Sequence, residues 1–445
     1  MNANPKKSLR TAQRHDAISS VSVITLGCSK NTADSEYLMG AIKAHNLDLV
    51  APEEADAVIV NTCGFIEKAK EESIETIFEA TKLKTEGNLK KLIVAGCLSQ
   101  RYGKELAEEM PEVDHFFGES DFENILKTLT PNFKYQLLGE RILTTPSHYA
   151  YLKISEGCDN PCSFCAIPLM RGGHRTKPKE DVIAEAQSLV RQGVKELILI
   201  AQDLTYYGLD TYGERALADL LRAVSDVQGV EWIRLMYAFP AKFPKDILPV
   251  IAERDNICKY MDMPLQHAST DVLKSMRRGI TRNTLENLIG EIRDTVPNIA
   301  LRTTFITGYP SETQKDFEEL CSFVETMKFD RVGCFEYSLE DNTYAYILGD
   351  PIPQEVKQER AQTIMDIQRG ISLEKNEAKI GKQLKVLIDD VASGEFQGRT
   401  EADAPEVDNE VFVRSSEMLQ PGDMIIAEIT DASEYDIFGE FVRKA

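Results

Sequence analysis

Three apolar runs in the first third of the chain each end at a cysteine, and each precedes a helical segment. The runs read VSVITLGC, DAVIVNTC and KLIVAGC, and they end at Cys28, Cys63 and Cys97, at intervals of 35 and 34 residues. Strands that alternate with helices in this way are typical of a doubly wound parallel sheet. The carboxyl ends of the strands in such a sheet meet at one edge, where ligands bind. The sequence therefore predicts an α/β domain with three thiols at one edge.

A second series of strands and helices follows a turn-rich segment over residues 131–147, which we interpret as a linker. Its six apolar runs read YLKIS, ELILIAQD, WIRLMYAF, CKYMDMPL, LRTTFITG and RVGCFEYS. This series predicts an incomplete (β/α)6 barrel, and the active site of such a barrel lies at the carboxyl ends of its strands. A long charged helix over residues 354–380 follows.

Short strands separated by turns predict a small β-barrel at the end of the chain. The strands read LKVLIDD, VFVRSS and MIIAEITDA, with GEFQGRT and QPGD as connections. The predicted organisation is a disordered leader over residues 1–20, an N-terminal α/β domain over residues 21–135, the barrel domain over residues 145–376 and the C-terminal β-barrel over residues 377–445.

The amino-acid composition limits the cellular compartment in which we expect the protein and the partners that it can bind. The leader is polar, and no apolar run approaches the length that crosses a bilayer, so we expect a cytoplasmic protein with no membrane contact. Nine cysteines in that compartment indicate metal ligands or buried thiols rather than disulfides. The net charge of -21 argues against extensive electrostatic binding to nucleic acid and favours a basic protein partner.

The sequence GCDNPCSFC carries the strongest local signal for chemistry. It places Cys158, Cys162 and Cys165 in a CxxxCxxC array just after the first strand of the barrel. Three thiolates can hold a [4Fe-4S] cluster and leave one iron without a protein ligand. The alternative is a zinc site, but structural zinc sites usually take four ligands in two CxxC-like pairs, and no fourth partner stands close by. The array therefore favours a cluster.

The other six cysteines divide into two groups. Cys28, Cys63 and Cys97 taken singly are most simply buried small hydrophobes, and their shared position at three strand ends favours a second metal site. The remaining three are expected inside a strand, a helix and a strand, as core residues; they are Cys258, Cys321 and Cys334.

Over nearly its whole length the sequence resembles the methylthiotransferase branch of the radical S-adenosylmethionine (SAM) enzymes. The matching segments read TLGCSKNTADSE, NTCGFIEKAKEESI, AGCLSQRY, YLKISEGCDNPCSFCAIPLMRGGHRTKP, IAQDLTYYG, MPLQHAS, RRG and FITGYPSET. Within that branch, TLGCSKN, NTCGFIEKA, FCAIPLMRGGHR and GRTEADAPEVDN favour the family that modifies an aspartate of ribosomal protein S-twelve. The alternative within the branch modifies an adenosine of transfer RNA, and a non-catalytic electron-transfer or cluster-carrier protein is the alternative outside it.

The resemblance implies two [4Fe-4S] clusters, with Cys28, Cys63 and Cys97 holding an auxiliary cluster and the CxxxCxxC array holding the cluster that binds SAM. It places Phe164 beside the SAM adenine. Gln202 and Asp203 stand where the wider superfamily often has a Gly-Gly-Glu segment that holds the SAM amino group, and they are the candidate SAM contacts. No catalytic residue beyond the cluster ligands is assigned.

The resemblance also implies a substrate and further partners. SAM serves both as methyl donor and as the source of the radical that removes a hydrogen from the aspartate β-carbon, so an electron donor of unknown identity is required. The C-terminal β-barrel resembles a TRAM domain. It carries 16 acidic and 7 basic residues, and we expect it to dock the basic protein substrate through acidic side chains such as Glu401, Asp403, Glu406 and Asp408. Nucleic acid is not expected as the main substrate.

Four charged residues follow the CxxxCxxC array in sequence. These residues either position the substrate or SAM or belong to a solvated loop, which is the usual state of charged side chains, and both interpretations stay open. The four residues are Arg171, His174, Arg175 and Lys177.

Overall fold

The computed structural model describes residues 17–130, 133–134, 140–392 and 395–445. Their contacts divide them into two compact units. The first holds residues up to Thr144 together with Leu169–Arg171, and the second holds Thr145–Pro168 and Gly172–Ala445. Most of the predicted leader and part of the predicted linker lie outside the described residues. No helix within the described ranges is long and apolar enough to cross a membrane.

A parallel sheet forms the centre of the first unit. In the described residues its strands are β1 (Ser20–Thr25), β2 (Asp48–Leu49), β3 (Ala57–Thr62), β4 (Lys91–Gly96) and β5 (His115–Phe116), in the order β2-β1-β3-β4-β5. The helices are α1 (Ser29–Ala44), α2 (Glu67–Thr85), α3 (Cys97–Glu109) and α4 (Phe122–Leu129). The prediction is confirmed for β1, β3 and β4 and the helix after each; β2 and β5, of two residues each, were not predicted.

Helices cover both faces of this sheet because neighbouring residues of a strand point to opposite sides. Ile59 packs in one cluster with Leu38 and Ile42 of α1. Its neighbours Val58 and Val60 pack in the other cluster, with residues of α2 and α3. Burial on both faces explains why β3 reads as an unbroken apolar run. The doubly wound sheet expected from the sequence is confirmed.

A second parallel sheet forms the larger part of the second unit. In the described residues its elements are β6 (Tyr149–Lys153), β7 (Ser155–Glu156), β8 (Arg175–Thr176), β9 (Glu196–Ile200), β10 (Trp232–Leu235), β11 (Ile257–Asp262), β12 (Ala300–Thr307) and β13 (Arg331–Glu336). Six of them run parallel in the order β13-β12-β11-β10-β9-β6, and β7 pairs with β8 in a short antiparallel ladder. The sheet is open between β6 and β13, as expected for an incomplete barrel.

Helices follow the barrel strands along the chain. They are α5 (Ile167–Arg171), α6 (Lys179–Arg191), α7 (Leu209–Tyr212), α8 (Leu217–Ser225), α9 (Ile247–Glu253), α10 (Thr270–Ser275), α11 (Arg282–Thr295), α12 (Gln314–Met327) and α13 (Gln354–Glu377). The long charged helix predicted over residues 354–380 is α13. Cys258, Cys321 and Cys334 lie in β11, α12 and β13, as the sequence predicted.

A closed β-barrel ends the second unit. Its described strands are β14 (Gln383–Ala392), β15 (Glu395–Thr400), β16 (Val411–Arg414), β17 (Met424–Ala432) and β18 (Ile437–Lys444), in the order β14-β15-β16-β18-β17. The sequence GEFQGRT, predicted as a connection, contains strand β15, and β18 was not predicted. Gly398 belongs inside β15 because a Cβ there would lie 2.3 Å from the carbonyl oxygen of Leu387 on the neighbouring strand.

The stretch between β15 and β16, here called the acidic segment (residues 401–410), packs against the (β/α) barrel toward the amino-terminal ends of its strands. Asp403 is paired with Arg331, the first residue of β13, at 3.1 Å between Oδ1 and Nε. Asp408 accepts a hydrogen bond from the Tyr260 hydroxyl at 2.7 Å and another from Arg302 at 3.3 Å. The segment therefore lies at the end of the barrel opposite its carboxyl edge.

The expectation that these acidic side chains dock a substrate is wrong for Asp403 and Asp408, whose carboxylates are buried against the barrel. It stays a prediction for Glu401 and Glu406, which are exposed. The two tyrosine hydroxyls of β6, Tyr149 and Tyr151, both donate to Glu406, at 3.2 and 3.1 Å. The backbone N–H of Lys259 donates to Glu401 at 3.1 Å. All four carboxylates singled out from the sequence, Glu401, Asp403, Glu406 and Asp408, are thus bound by the barrel. They fasten the two barrels of this unit together.

Candidate functional site

The three cysteines of the first unit follow adjacent strands at the carboxyl edge of the sheet. Cys28 caps α1 after β1, Cys63 follows β3 directly, and Cys97 begins α3 after β4. Because β1, β3 and β4 are neighbours, their ends bring the thiols together. Gly27, next to Cys28, has φ +88°, and a Cβ there would lie 2.9 Å from the Cys63 Sγ. Only glycine fits this close approach.

The electrostatics of these thiols suit a cation. Burial raises the pKa of Cys63, and the nearby Cys28 raises it further. Burial likewise raises the pKa of Cys97 to about 12, with Cys28 and Cys63 adding to the shift. Arg171 lowers the pKa of both thiols but does not outweigh burial. A bound metal would add a larger positive charge and deprotonate its ligands. The donor set therefore fits an iron-sulfur cluster.

Asn31 fixes the backbone around these cysteines. Its side-chain amide donates to the carbonyl oxygens of Leu26 at 2.8 Å and Thr62 at 3.1 Å, which lie just before Cys28 and Cys63. Its side-chain oxygen accepts a hydrogen bond from Arg171 at 2.6 Å. Asn31 was not singled out from the sequence, although it lies in the matching segment TLGCSKNTADSE.

The CxxxCxxC array forms a tight loop after β7. The backbone N–H of Cys158 donates to the carbonyl of Gly172 at 3.1 Å, and that of Cys165 donates to the carbonyl of Cys162 at 3.3 Å. Gly157 has φ +76°, and a Cβ there would lie 2.1 Å from the carbonyl oxygen of Gly173. Burial raises the pKa of Cys158 to about 11 and that of Cys165 to about 12, and the other thiols of the array raise both further. This second set of thiols therefore fits an iron-sulfur cluster for the same reason as the first set.

Two side chains contact the sulfurs of the array. Arg278 donates to Cys162 Sγ at 3.2 Å, and Asn160 lies 3.5 Å from Cys158 Sγ while it donates to Asp203 at 2.8 Å. Neither residue was singled out from the sequence. The signal for Arg278 was the matching segment RRG, whose second residue it is.

The candidate SAM residues lie next to this loop. Gln202 follows β9 and donates to Glu156 at 2.7 Å, while its buried side-chain oxygen has no hydrogen-bond partner in the part of the chain that the structure describes. Asp203 is fully engaged, because it accepts hydrogen bonds from Asn160 and from the backbone and hydroxyl of Thr205 at 2.8 and 2.7 Å. Of the two, Gln202 is the one with an acceptor left for a ligand.

Phe164 is partly buried and packs against an apolar cluster that contains Met276, Tyr309, Tyr337 and Ala345. It therefore supplies an apolar wall inside the cysteine loop. This position is compatible with a stacking partner for a ring, and it also keeps water from the thiols.

The four charged residues after the array do not share one environment. Arg171 is buried, and it is paired with Asp34 at 3.1 Å inside the first unit. His174 is buried as well, and burial lowers its pKa. Lys177 is paired with Glu185, and Arg175 is exposed. The solvated-loop interpretation is thus wrong for Arg171 and His174.

Comparison with known proteins identifies the class of enzyme to which this chain belongs. The radical SAM superfamily model matches residues 152–324, the TRAM domain model matches residues 380–442, and the uncharacterized protein family UPF0004 matches residues 20–118. The radical SAM methyltransferase TsrM from Kitasatospora setae has a similar fold, with a TM-score of 0.52 at 13% identity over 72% of this chain and 75% of that chain. The chain is a radical SAM enzyme, and this class implies SAM and a [4Fe-4S] cluster.

Relatives that match along nearly their full length identify the family within this class. A protein of Cytophaga hutchinsonii is 56% identical over 95% of this chain and 98% of its own length, and one of Christiangramia forsetii is 53% identical over 94% of each. One of Flavobacterium johnsoniae is 51% identical over 94% of this chain and 97% of its own. All three are named ribosomal protein uS12 methylthiotransferase RimO. The chain belongs to the RimO family of radical SAM methylthiotransferases, which confirms the resemblance seen in the sequence.

Proposed function

We propose that this enzyme attaches a methylthio group to the β-carbon of an aspartate in ribosomal protein uS12 (S-twelve). It does so in the cytoplasm with two [4Fe-4S] clusters and SAM. The observation that carries the proposal is identity above 50% along almost the full length of relatives named for this activity. The same relatives favour this function over transfer RNA modification and over a non-catalytic cluster carrier.

The two clusters are assigned to separate ligand sets. Cys28, Cys63 and Cys97 hold the auxiliary cluster, and Cys158, Cys162 and Cys165 hold the cluster that binds SAM. Each set has three thiols at the carboxyl edge of a parallel sheet; Cys28 is exposed and the other five are buried or half-buried. Neighbouring thiols within a set raise the pKa values of the buried members. Three protein ligands leave one iron of each cluster open to another molecule.

When bound, the SAM-binding cluster would pass an electron from the external donor to SAM, and SAM would supply the radical and the methyl group. The protein binds and orients these groups. The free side-chain oxygen of Gln202 would accept a hydrogen bond from the SAM amino group, and Phe164 would pack against the adenine. Asn160 ties the Cys158 loop to Asp203, so the first ligand is fixed relative to the end of β9. The cysteines of the loop are half-buried, and the partly buried Phe164 between them helps to keep water away from the thiols.

The test is mass spectrometry of purified uS12 and of transfer RNA after incubation with the anaerobically reconstituted enzyme, SAM, sulfide and a chemical reductant. The proposal predicts a methylthio group in place of one hydrogen on an aspartate of uS12. Modification of the transfer RNA with none of uS12 would overturn it in favour of the adenosine-modifying alternative.

A further inference from the structure

Large apolar side chains are concentrated on the surface just after β13. Of the 18 large hydrophobic residues exposed in the described ranges, six lie between Phe335 and Leu348. Most belong to a short 3-10 helix, Tyr344–Leu348, here called the apolar turn. Ile347 is 88% exposed and Tyr344 is 62% exposed. Contiguous exposed apolar surface of this kind typically marks an interaction site.

A buried side chain and a hydrogen bond hold the apolar turn in place. Ala345 is fully buried and packs in the same apolar cluster as Tyr309 and Tyr337. The Thr343 hydroxyl donates to the carbonyl of Glu340 at 2.7 Å, which closes the preceding bend. Tyr346 and Ile347 are therefore exposed to solvent on a turn whose backbone is held in place. An interaction surface prepared in this way loses little conformational entropy when a partner binds.

The apolar turn is joined directly to the CxxxCxxC loop. The backbone N–H of Ala345 donates to the carbonyl of Ser163 at 2.7 Å, and Ser163 stands between Cys162 and Phe164. The guanidinium of Arg277 lies 3.8 Å from the centre of the Tyr344 ring, next to Arg278. The exposed side chains therefore border the loop assigned to the SAM-binding cluster, at the carboxyl edge of the barrel.

The charge around the apolar turn favours a basic partner. The stretch from residue 335 to residue 356 carries five acidic residues and no Lys or Arg; they are Glu336, Glu340, Asp341, Asp350 and Glu355. Asp341, Asp350 and Glu355 are exposed, whereas Glu340 is buried. Lys357 pairs with Asp350, and Arg277 places one positive charge against the Tyr344 ring. Single-stranded nucleic acid also stacks on exposed aromatic rings, but such sites pair the rings with a positively charged groove. A protein with a basic surface fits this acidic rim better.

We infer that the apolar turn is the docking surface for the basic protein substrate, and that it receives the chain next to the modified residue. This inference rests on the proposed function. Tyr346 and Ile347 bury their apolar area against the substrate, and the acidic rim orients its cationic side chains. Aromatic anchors surrounded by a polar rim are typical of protein interfaces.

The test compares the binding of uS12 to the reconstituted wild-type enzyme, to the double variant Tyr346→Ser/Ile347→Ser and to a control, Met418→Ser. Met418 is 80% exposed but lies in the C-terminal β-barrel, so its loss removes a similar apolar surface elsewhere. We expect the Kd for uS12 to rise at least about tenfold in the double variant and to stay at the wild-type value in the control, since two anchors leave the interface. Variants are compared only if they bind the wild-type amount of iron.

A second measurement does not depend on the variants. Hydrogen exchange of the wild-type amides over residues 344–348 should slow when uS12 is added, and amides of β14 should not change. If the double variant fails to bind iron, Ile347→Ser alone replaces it, with an expected rise in Kd of about threefold.

The outcomes separate the docking inference from the proposed function. Methylthiolation of uS12 by the wild type, together with equal Kd values for the double variant and the control, overturns the docking surface and leaves the function standing. Unchanged hydrogen exchange at residues 344–348 has the same meaning. Failure of the wild type to modify uS12 overturns both. Weakened binding of transfer RNA, rather than uS12, in the double variant assigns the surface to nucleic acid and overturns the inference.

Discussion

Arg278 donates a hydrogen bond to the Sγ of Cys162 at 3.2 Å, although 116 residues separate them in the chain. The guanidinium is buried, lies 4.1 Å from the centre of the Phe239 ring and donates to the carbonyl of Pro264. A permanent positive charge is therefore held against a candidate cluster ligand. Hydrogen bonds to cluster sulfurs are among the features that set the reduction potential.

Arg278→Met should lower the reduction potential of the SAM-binding cluster, because the cation that favours the reduced form is removed. A hydrogen bond involving a charged group contributes about 1.5–3 kcal/mol, and about 60 mV corresponds to a tenfold change for one electron, so we expect a shift of about 60 mV or more. Redox titration followed by electron paramagnetic resonance measures it. Arg277→Met is the matched control, since Arg277 stacks on Tyr344 instead. Equal potentials in the two variants would contradict the assigned role.

Replacement of Cys158, Cys162 and Cys165 together by Ala should leave about half of the iron of the reconstituted protein. The other three thiols lie in a separate compact unit, and their ligation does not depend on this loop. Iron is determined per chain after desalting, with Cys321→Ala as the control because Cys321 lies within α12. Full iron retention would remove the array from the ligands, and complete loss would show that the two sites are not separate.

Gln202→Ala should weaken SAM binding about tenfold, because it removes the buried oxygen assigned to the SAM amino group. Equilibrium binding of SAM to the reconstituted protein is the measurement. Gln192→Ala is the control, since Gln192 is exposed after α6. A Kd equal to that of the control would leave Gln202 without a role in SAM binding.

Asp403→Ala should destabilise the second unit by about 3–5 kcal/mol, because it leaves the buried Arg331 without its counter-charge. Burial acts to raise the pKa of Asp403, but Arg331 and Lys379 outweigh it and hold that pKa below its ordinary value. The stabilisation is therefore present at neutral pH and is lost as pH falls through the lowered pKa. Denaturant unfolding at pH 7 measures the change, with Glu417→Ala, an exposed acid, as control. Equal unfolding free energies would contradict this account.

The sequence predicted those parts of the fold that repeat a local pattern. Strands β3 and β4 read as apolar runs because both of their faces are buried, and the cysteines after β1, β3 and β4 marked the carboxyl edge of the sheet. The two-residue strands β2 and β5 have no period to detect. Strand β15 was missed because its one glycine, Gly398, read as part of a turn, although the close approach of a neighbouring strand requires glycine there.

The contacts that the sequence did not predict join distant parts of the chain. The acidic segment looks like a solvated loop in the sequence. The cation that pairs with Asp403 lies on β13, 72 residues earlier, and the one that pairs with Asp408 lies on β12, 106 residues earlier. The same holds for Arg278, whose distance in sequence from Cys162 conceals their contact. Motif spacing identified the six candidate ligands, but the residues that support them became visible only through the fold.

The variant with Cys28, Cys63 and Cys97 all replaced by Ala tests the central claim, which is that the two cysteine sets have separate roles. The reaction contains the reconstituted variant, SAM, sulfide, a chemical reductant and uS12, and one sample is analysed for both 5'-deoxyadenosine and methylthiolated uS12. We predict that 5'-deoxyadenosine is still formed, because the CxxxCxxC array is intact, and that no methylthio group is attached. Methylthiolated uS12 from this variant would contradict the account.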